Sequence, residues 1–386
     1  MKKYKNILRK ISALFISLVM IFALTPAAFA GTLKSDGYYY FTDRDGKELK
    51  APEKAFATSV VDYHPGDPWT KDKVGMNPKN ALGLPDADED VCYVLGAGGT
   101  LTLGFNIGIY DGDGLDIYVF EVGGAVEATK VEVSNDLQTW YDVGVAKGET
   151  AGIDMNGKVP EKARFRYVRL TDLKSSPSGP WPGADIQAVS GLNYTTASQW
   201  SLKEIDPEIV PDNLPDDWTQ PINREQFAAI SVKAYEKLSG TKAIPDVTNP
   251  FTDCSDAEVL KAYNVGITAG TSGTTFSPNQ LLTREQAAAM LTRVFKRVSM
   301  NGWTLANDSA YKLNYTMPAP FADDRYIARW ARDSVYFMAA NNIIVGVGNN
   351  RFAPKNVTSA QEAKHYANAT IQQALAIATR MVNNLK

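Results

Sequence analysis

The sequence predicts a multidomain chain: an antiparallel β-sandwich followed by an all-α half, behind a short export signal. Three observations predict it. The hydrophobic period changes near residue 195, a phrase repeats in the C-terminal half, and the chain opens on a basic stretch followed by an apolar one. At 386 residues the length suits two or three domains. The composition, 44% hydrophobic and 22% charged, is that of folded rather than disordered protein.

Residues 1–30 read as a secretory signal. All five of their charges are positive (Lys2, Lys3, Lys5, Arg9, Lys10), Ile11 to Leu24 is almost wholly apolar, and Ala28-Phe29-Ala30 supplies a small–x–small cleavage site. The apolar run is shorter than the roughly twenty residues needed to span a bilayer. Cleavage takes the formal net charge from −3 to −8 and leaves no membrane segment. An acidic mature chain argues against nucleic acid, which needs clustered cations. Two cysteines, Cys92 and Cys254, exclude a disulfide scaffold or a thiolate zinc cluster and read as small buried side chains.

From 31 to 195 short alternating runs recur: Thr100–Phe105, Leu115–Glu121, Lys130–Ser134, Arg164–Leu170 and Ala184–Val189. Gly, Pro, Asp and Asn clusters separate them, which is the pattern of an antiparallel sandwich. From Ala197 the period becomes helical. Phe227, Ile230, Ala234 and Leu238 form one stripe; Ala287, Met290, Leu291, Val294, Phe295 and Val298 form a second. Val335, Met338 and Ala339 lie in a third, and Ile371, Leu375, Ala378 and Val382 form a fourth.

The repeated phrase is Ile222-Asn-Arg-Glu-Gln-Phe227, Leu282-Thr-Arg-Glu-Gln-Ala287 and, more weakly, Val357-Thr-Ser-Ala-Gln361. Gly266-Ile-Thr-Ala-Gly270 precedes Phe276-Ser-Pro278, and Asn342-Ile-Ile-Val-Gly346 precedes Phe352-Ala-Pro354. In each case Phe follows the last Gly by six residues. Phe251-Thr-Asp253 and Phe321-Ala-Asp323 open the units. Asn223 and Thr283, each just before an Arg, read as N-caps, and Phe276 and Phe352 as packing.

This pattern resembles the S-layer homology (SLH) domain over roughly 196–386. The units fall at 196–243 (abridged), 244–300 and 317–386. The resemblance implies a pseudo-threefold bundle that binds secondary cell-wall polysaccharide on bacterial peptidoglycan, a ligand carrying pyruvate ketals. The residues suit it: Arg at a helix start offers a fork of donors to a carboxylate, and a Trp face stacks on a sugar. The binding set it implies is Arg284 with Gly270, Arg224 with Trp200, then Asp253, Asp323, Trp330 and Gly346. Ser359 stands where the family has Arg, so the third site loses its cation.

In the first half, Val131-Glu-Val-Ser-Asn-Asp-Leu-Gln-Thr-Trp140 followed by Tyr167-Val-Arg169 resembles the discoidin-type jelly roll, with Leu137 where that family has Gly. A wider phrase, Ala81–Asp86, Leu95–Gly99 and Gly114–Glu121, is similar to bacterial cell-surface proteins. Asp111, Asp113 and Asp116 pack three carboxylates into six residues, a spacing that suits Ca²⁺; Glu121, Asp86 and Asp185 join only if the fold brings them in. Tyr63, His64, Trp69 and Trp181 are loop residues of types that stack on sugars.

Two histidines in separate domains, with no nucleophile elbow or zinc-protease motif, lean away from an enzyme. The leading expectation is a secreted, non-catalytic, wall-anchored surface protein whose sandwich binds calcium, an extracellular glycan or other surface proteins. The alternatives are a structural S-layer component and a wall-bound carbohydrate-active enzyme.

Overall fold

A computed structural model describes residues 31–385, apart from 43–45, 87, 89, 124–126, 148–150, 176–177 and 246–247. The signal reading of 1–30 lies outside the described residues. The chain forms two compact units, one drawn from residues up to 105, 112–159 and 167–193, the other from 106–111, 160–166 and 194–386. Among the described residues no helix is long and apolar enough to cross a membrane.

The strands are β1 (Thr32–Leu33), β2 (Tyr38–Thr42), β3 (Glu48–Pro52), β4 (Ser59–His64), β5 (Tyr93–Val94), β6 (Thr100–Ile109) and β7 (Ile117–Val122). They continue as β8 (Ala128–Ser134), β9 (Tyr141–Lys147), β10 (Ala151–Ile153), β11 (Phe165–Asp172), β12 (Asp185–Gly191) and β13 (Tyr194–Thr196). In the first unit β1-β2-β3 form one sheet, β10-β7-β12-β5 a second, and β6-β11-β8-β9 with β4 also on β6 a third. The registered pairings are antiparallel. Every residue of β7 and β12 is buried, so both faces of that sheet are covered. Tyr39 and Phe41 of the β2–β3 hairpin cover one face, with Phe41 4.8 Å from both Tyr118 and Phe120.

Glu121, on β7, is buried deeply enough to change its charge. Loss of solvent, then Glu127 and Asp185, push its carboxyl up to about 10; burial, then Glu127, push Asp185 up to about 8. Both folded values lie above the unfolded ones, so the folded state holds protons that the unfolded chain releases. This contribution is full below about pH 4 and is lost as pH rises toward about 9. The strand unit should therefore melt at lower temperature as pH rises from about 5 to 9, and Glu121→Gln should flatten that profile in thermal melts.

The second unit holds α1 (Gln199–Glu204), α2 (Arg224–Ser239), α3 (Ala257–Asn264), α4 (Arg284–Ser299), α5 (Arg332–Ala340), α6 (Ser359–Ala363) and α7 (Ile371–Asn384). The four apolar stripes fall on α2, α4, α5 and α7. Asn223 and Thr283 cap α2 and α4 through capping boxes closed by Gln226 and Gln286. Three short segments ahead of the long helices close a ring. Leu282 N–H donates to Ile222 O (3.0 Å), Ile222 N–H to Ala369 O (2.8 Å) and Ala369 N–H to Leu282 O (3.3 Å).

That ring corrects the third copy of the phrase. The residue equivalent to Arg224 and Arg284 is Ile371, whose N–H donates to Gln220 O at 3.0 Å as theirs donate to Gln280 O and Ala367 O. Thr370 and Gln373 form its capping box. Ser359 instead opens the short α6, and is exposed. The third position still lacks a cation, but through Ile371.

Candidate functional site: two grooves between repeats

Arg224 and Arg284 each begin a long helix, and each reaches into the loops of the following repeat. Arg224 Nε donates to Phe276 O and Nη2 to Ala269 O, both at 3.0 Å. Arg284 repeats this with Phe352 O (2.9 Å) and Val345 O (2.6 Å). The guanidinium carbons lie 4.8 Å over the Phe276 ring and 5.3 Å over the Phe352 ring, and both rings are fully buried. Two of five N–H donors are thus spent on carbonyls, which leaves three for a ligand. Burial pulls Arg284 down to about 10; burial, then the charge of Arg293, lower Arg224. Both remain cations at neutral pH.

The sequence paired Arg284 with Gly270 and Arg224 with Trp200. The structure exchanges the partners. One groove, of about 170 Å3, is lined by Arg224, Gly270, Gln286, Arg293 and Trp330 among others. The other, of about 400 Å3, is lined by Arg284, Gly346, Gln373, Arg380 and Trp200 among others. Each groove takes its Arg, its Gly and its Trp from three different repeats. Trp200 is 45% exposed and Trp330 59%, so neither is a core aromatic.

The grooves differ in charge. Arg380 is paired with Glu204, its Nη2 2.8 Å from Oε2. Arg293 donates to a carbonyl, Ile267 O at 3.4 Å, feels the charge of Asp308, and sits close enough to lower Arg224. Lys233 stands at the position of Arg293 and Arg380, nine residues after Arg224, in a third depression of about 800 Å3. There Lys237 pairs with Asp206 and with Glu208 (2.7 Å), and Lys162 with Asp212, so its own ion pairs occupy it.

The two aspartates and two glycines of the candidate set also shape the loops. Asp253 accepts from Phe276 N–H and Ser277 N–H (2.7 and 2.8 Å), which holds its carboxyl below the usual range. Asp323 does the same for Phe352 and Ala353, at 2.8 Å each. These bonds shape the Phe loops. Asp323→Ala should leave two buried amides unpaired and cost about 2–4 kcal/mol, measurable by denaturant titration. The glycines are needed for loop closure: a Cβ on Gly270 would lie 2.3 Å from Ser272 O, and one on Gly346 2.6 Å from Arg351 O.

In the first unit Asp113 is exposed, and it is Asp154 that brings a carboxylate oxygen within 4.8 Å of Asp116. Asp111 is half-buried at the start of the loop. Asp116 is wholly buried and accepts from Gly112 N–H, Met155 N–H and Asn193 Nδ2, at 2.8 Å each. Its observed role is to clamp the loop. Glu121 and Asp185 are buried near each other and Asp86 is exposed. Trp69 and Trp181 pack on Cys92, Val94 and Val122, and Trp69 Nε1 donates to Val94 O at 2.7 Å. Tyr63 and His64 are exposed on β4. Cys92 and Cys254 are unbridged and buried.

Sequence and structural comparisons bear on this arrangement. The chain is 35% identical over 232 residues to an amylopullulanase of Thermoanaerobacterium thermosulfurigenes, covering 53% of this chain and 12% of that protein. It is 31% identical over 146 residues to the exoglucanase XynX of Acetivibrio thermocellus (37% and 12%), and 31% over 88 residues to an endoglucanase of Bacillus sp. strain KSM-635 (21% and 9%). The chain thus spans about a tenth of the length of these relatives. Among solved structures it aligns with the C-terminal domain of a chitobiase from Bacteroides fragilis, with TM-score 0.24 and 12% identity over 36% of this chain and 93% of that one. It also aligns with a family 29 carbohydrate-binding module, with TM-score 0.18 and 14% identity over 45% and 91%. The S-layer homology domain model matches residues 254–288 and 320–363, so the C-terminal half carries S-layer homology repeats and the chain is a cell-surface protein.

Proposed function

We propose that the chain is held non-covalently on the bacterial wall by the Arg224 and Arg284 grooves, each taking one carboxylate-bearing sugar unit of a secondary wall polysaccharide. The observation that carries this reading is the twofold recurrence of one constellation, a half-spent guanidinium beside an exposed Trp, assembled from three repeats. The guanidinium offers a planar fork to a carboxylate, and the indole a platform for the sugar ring. On this reading the helical half is an all-α pseudo-threefold bundle with two working grooves, and the strand-rich half is a jelly-roll sandwich displayed outward. The test is competition. Soluble wall polysaccharide should displace the protein from sacculi, and the same polymer with its pyruvate groups removed should not.

We read the chain as non-catalytic. The relatives' names are those of glycan hydrolases, and that favours a wall-bound carbohydrate-active enzyme as the second reading. A zymogram on α-glucan, β-glucan and peptidoglycan separates the two: the non-catalytic reading predicts no clearing, and a cleared zone overturns it.

A further inference from the structure

We propose that the open face of the β4-β6-β11-β8 sheet is a second carbohydrate site, in the strand unit, that takes an uncharged oligosaccharide. It does not rest on the anchoring grooves. A groove of about 480 Å3 crosses this face, lined from all four strands and from the β8–β9 hairpin. Alternation along each strand puts Thr100 with Thr102, Lys130 with Glu132, and Arg169 with Thr171 on one side of the sheet.

This groove carries no net positive charge. Glu132, 8% exposed, accepts from Lys130 Nζ at 2.8 Å and from Arg169 Nε at 2.9 Å, and Asp142 lies 3.6 Å from Lys130. With Asp62, which also lines the groove beside His64, two cations thus face three carboxylates, which leaves no net positive charge to draw a phosphate or an acid. What the groove offers instead is neutral polar recognition. The three threonine hydroxyls and the outer nitrogens of Arg169 make no hydrogen bond among the described residues. Arg169 is fixed by stacking 4.0 Å over Trp140, so its remaining donors are held in place. Preset donors beside an aromatic edge match the hydroxyl pattern of a sugar.

Leu137 supplies an independent observation. It lines the groove, its φ is +63°, and its side chain is 40% exposed. Asp136 pins the turn through the amides of Gln138 (2.9 Å) and Thr139 (2.7 Å). A branched apolar residue in left-handed backbone is strained, and an exposed one gains little from folding in return. Such strain is accounted for if the side chain meets a ligand.

The experiment is isothermal titration of the mature full-length chain with maltohexaose, cellohexaose and xylohexaose. Saturable binding to at least one is expected, weakened at least tenfold by Arg169→Ala and by Thr102→Val. Leu137→Gly separates ligand from scaffold: it should weaken binding while leaving the thermal midpoint unchanged or higher. If Arg169→Ala does not fold, Arg169→Lys, which keeps the charge but loses the fork, takes its place with the same expectation. Binding of each variant to wall sacculi should be unaffected, so failure here is distinguishable from failure of the anchor. Absence of binding to all three hexasaccharides, or affinities unchanged in the variants, overturns the proposal.

Discussion

Arg284→Ala should lower the thermal midpoint of the helical half by on the order of 10 °C and remove the wall affinity of its groove. The side chain is 5% exposed and ties α4 to two carbonyls, of Phe352 and Val345, on the next repeat. Removing it strands the buried Phe352 carbonyl at about 1–3 kcal/mol, loses the half-buried bond to Val345 O at about 1 kcal/mol, and forfeits the contact with Phe352. The result is a loss of both latch and ligand donor. Arg284→Lys keeps the charge but reaches only one carbonyl, so an intermediate midpoint is expected. Calorimetry that finds the alanine variant as stable as the parent would remove the latch from this account.

Trp200→Ala combined with Trp330→Ala tests the grooves without that entanglement. Both indoles are largely exposed, and their loss should move the midpoint by no more than about 1 °C. Each stack on a sugar is worth on the order of 1 kcal/mol, or somewhat under tenfold in affinity. If both grooves engage one polymer, as proposed, the losses multiply. A fall of roughly thirtyfold is expected in sacculus binding. Unchanged binding would mean that the tryptophans are not platforms.

Much of the helical half was legible because its information is local. The stripes at three- and four-residue spacing fixed α2, α4, α5 and α7, and Asn223 and Thr283 announced their helix starts. The grooves were legible as residue types but not as partners. Spacing along the chain joins Arg284 to Gly270, whereas the ring of hydrogen bonds hands each Arg to the loop of the following repeat. The Ser359 assignment failed because the chain writes Asn-x-Thr twice, at 356–358 and at 368–370. Only the second begins a helix long enough to bury a stripe, and Ile371 at the head of that stripe was the available signal. For Asp253 and Asp323 the sequence did not show the two loop amides that each carboxylate holds. The groove on the strand sheet was legible only in His64 and in Leu137 and Trp140 of the hairpin phrase, since four strands contribute two residues or so each and their order comes from tertiary pairing.

The anchoring claim is tested most directly by cosedimentation of residues 31–386 with native sacculi and with sacculi stripped of secondary polymer by acid. The account predicts binding to native walls that disappears on stripping and is weakened by Trp200→Ala with Trp330→Ala. Binding that survives stripping would place the contact on the peptidoglycan itself and contradict the carboxylate-reading grooves.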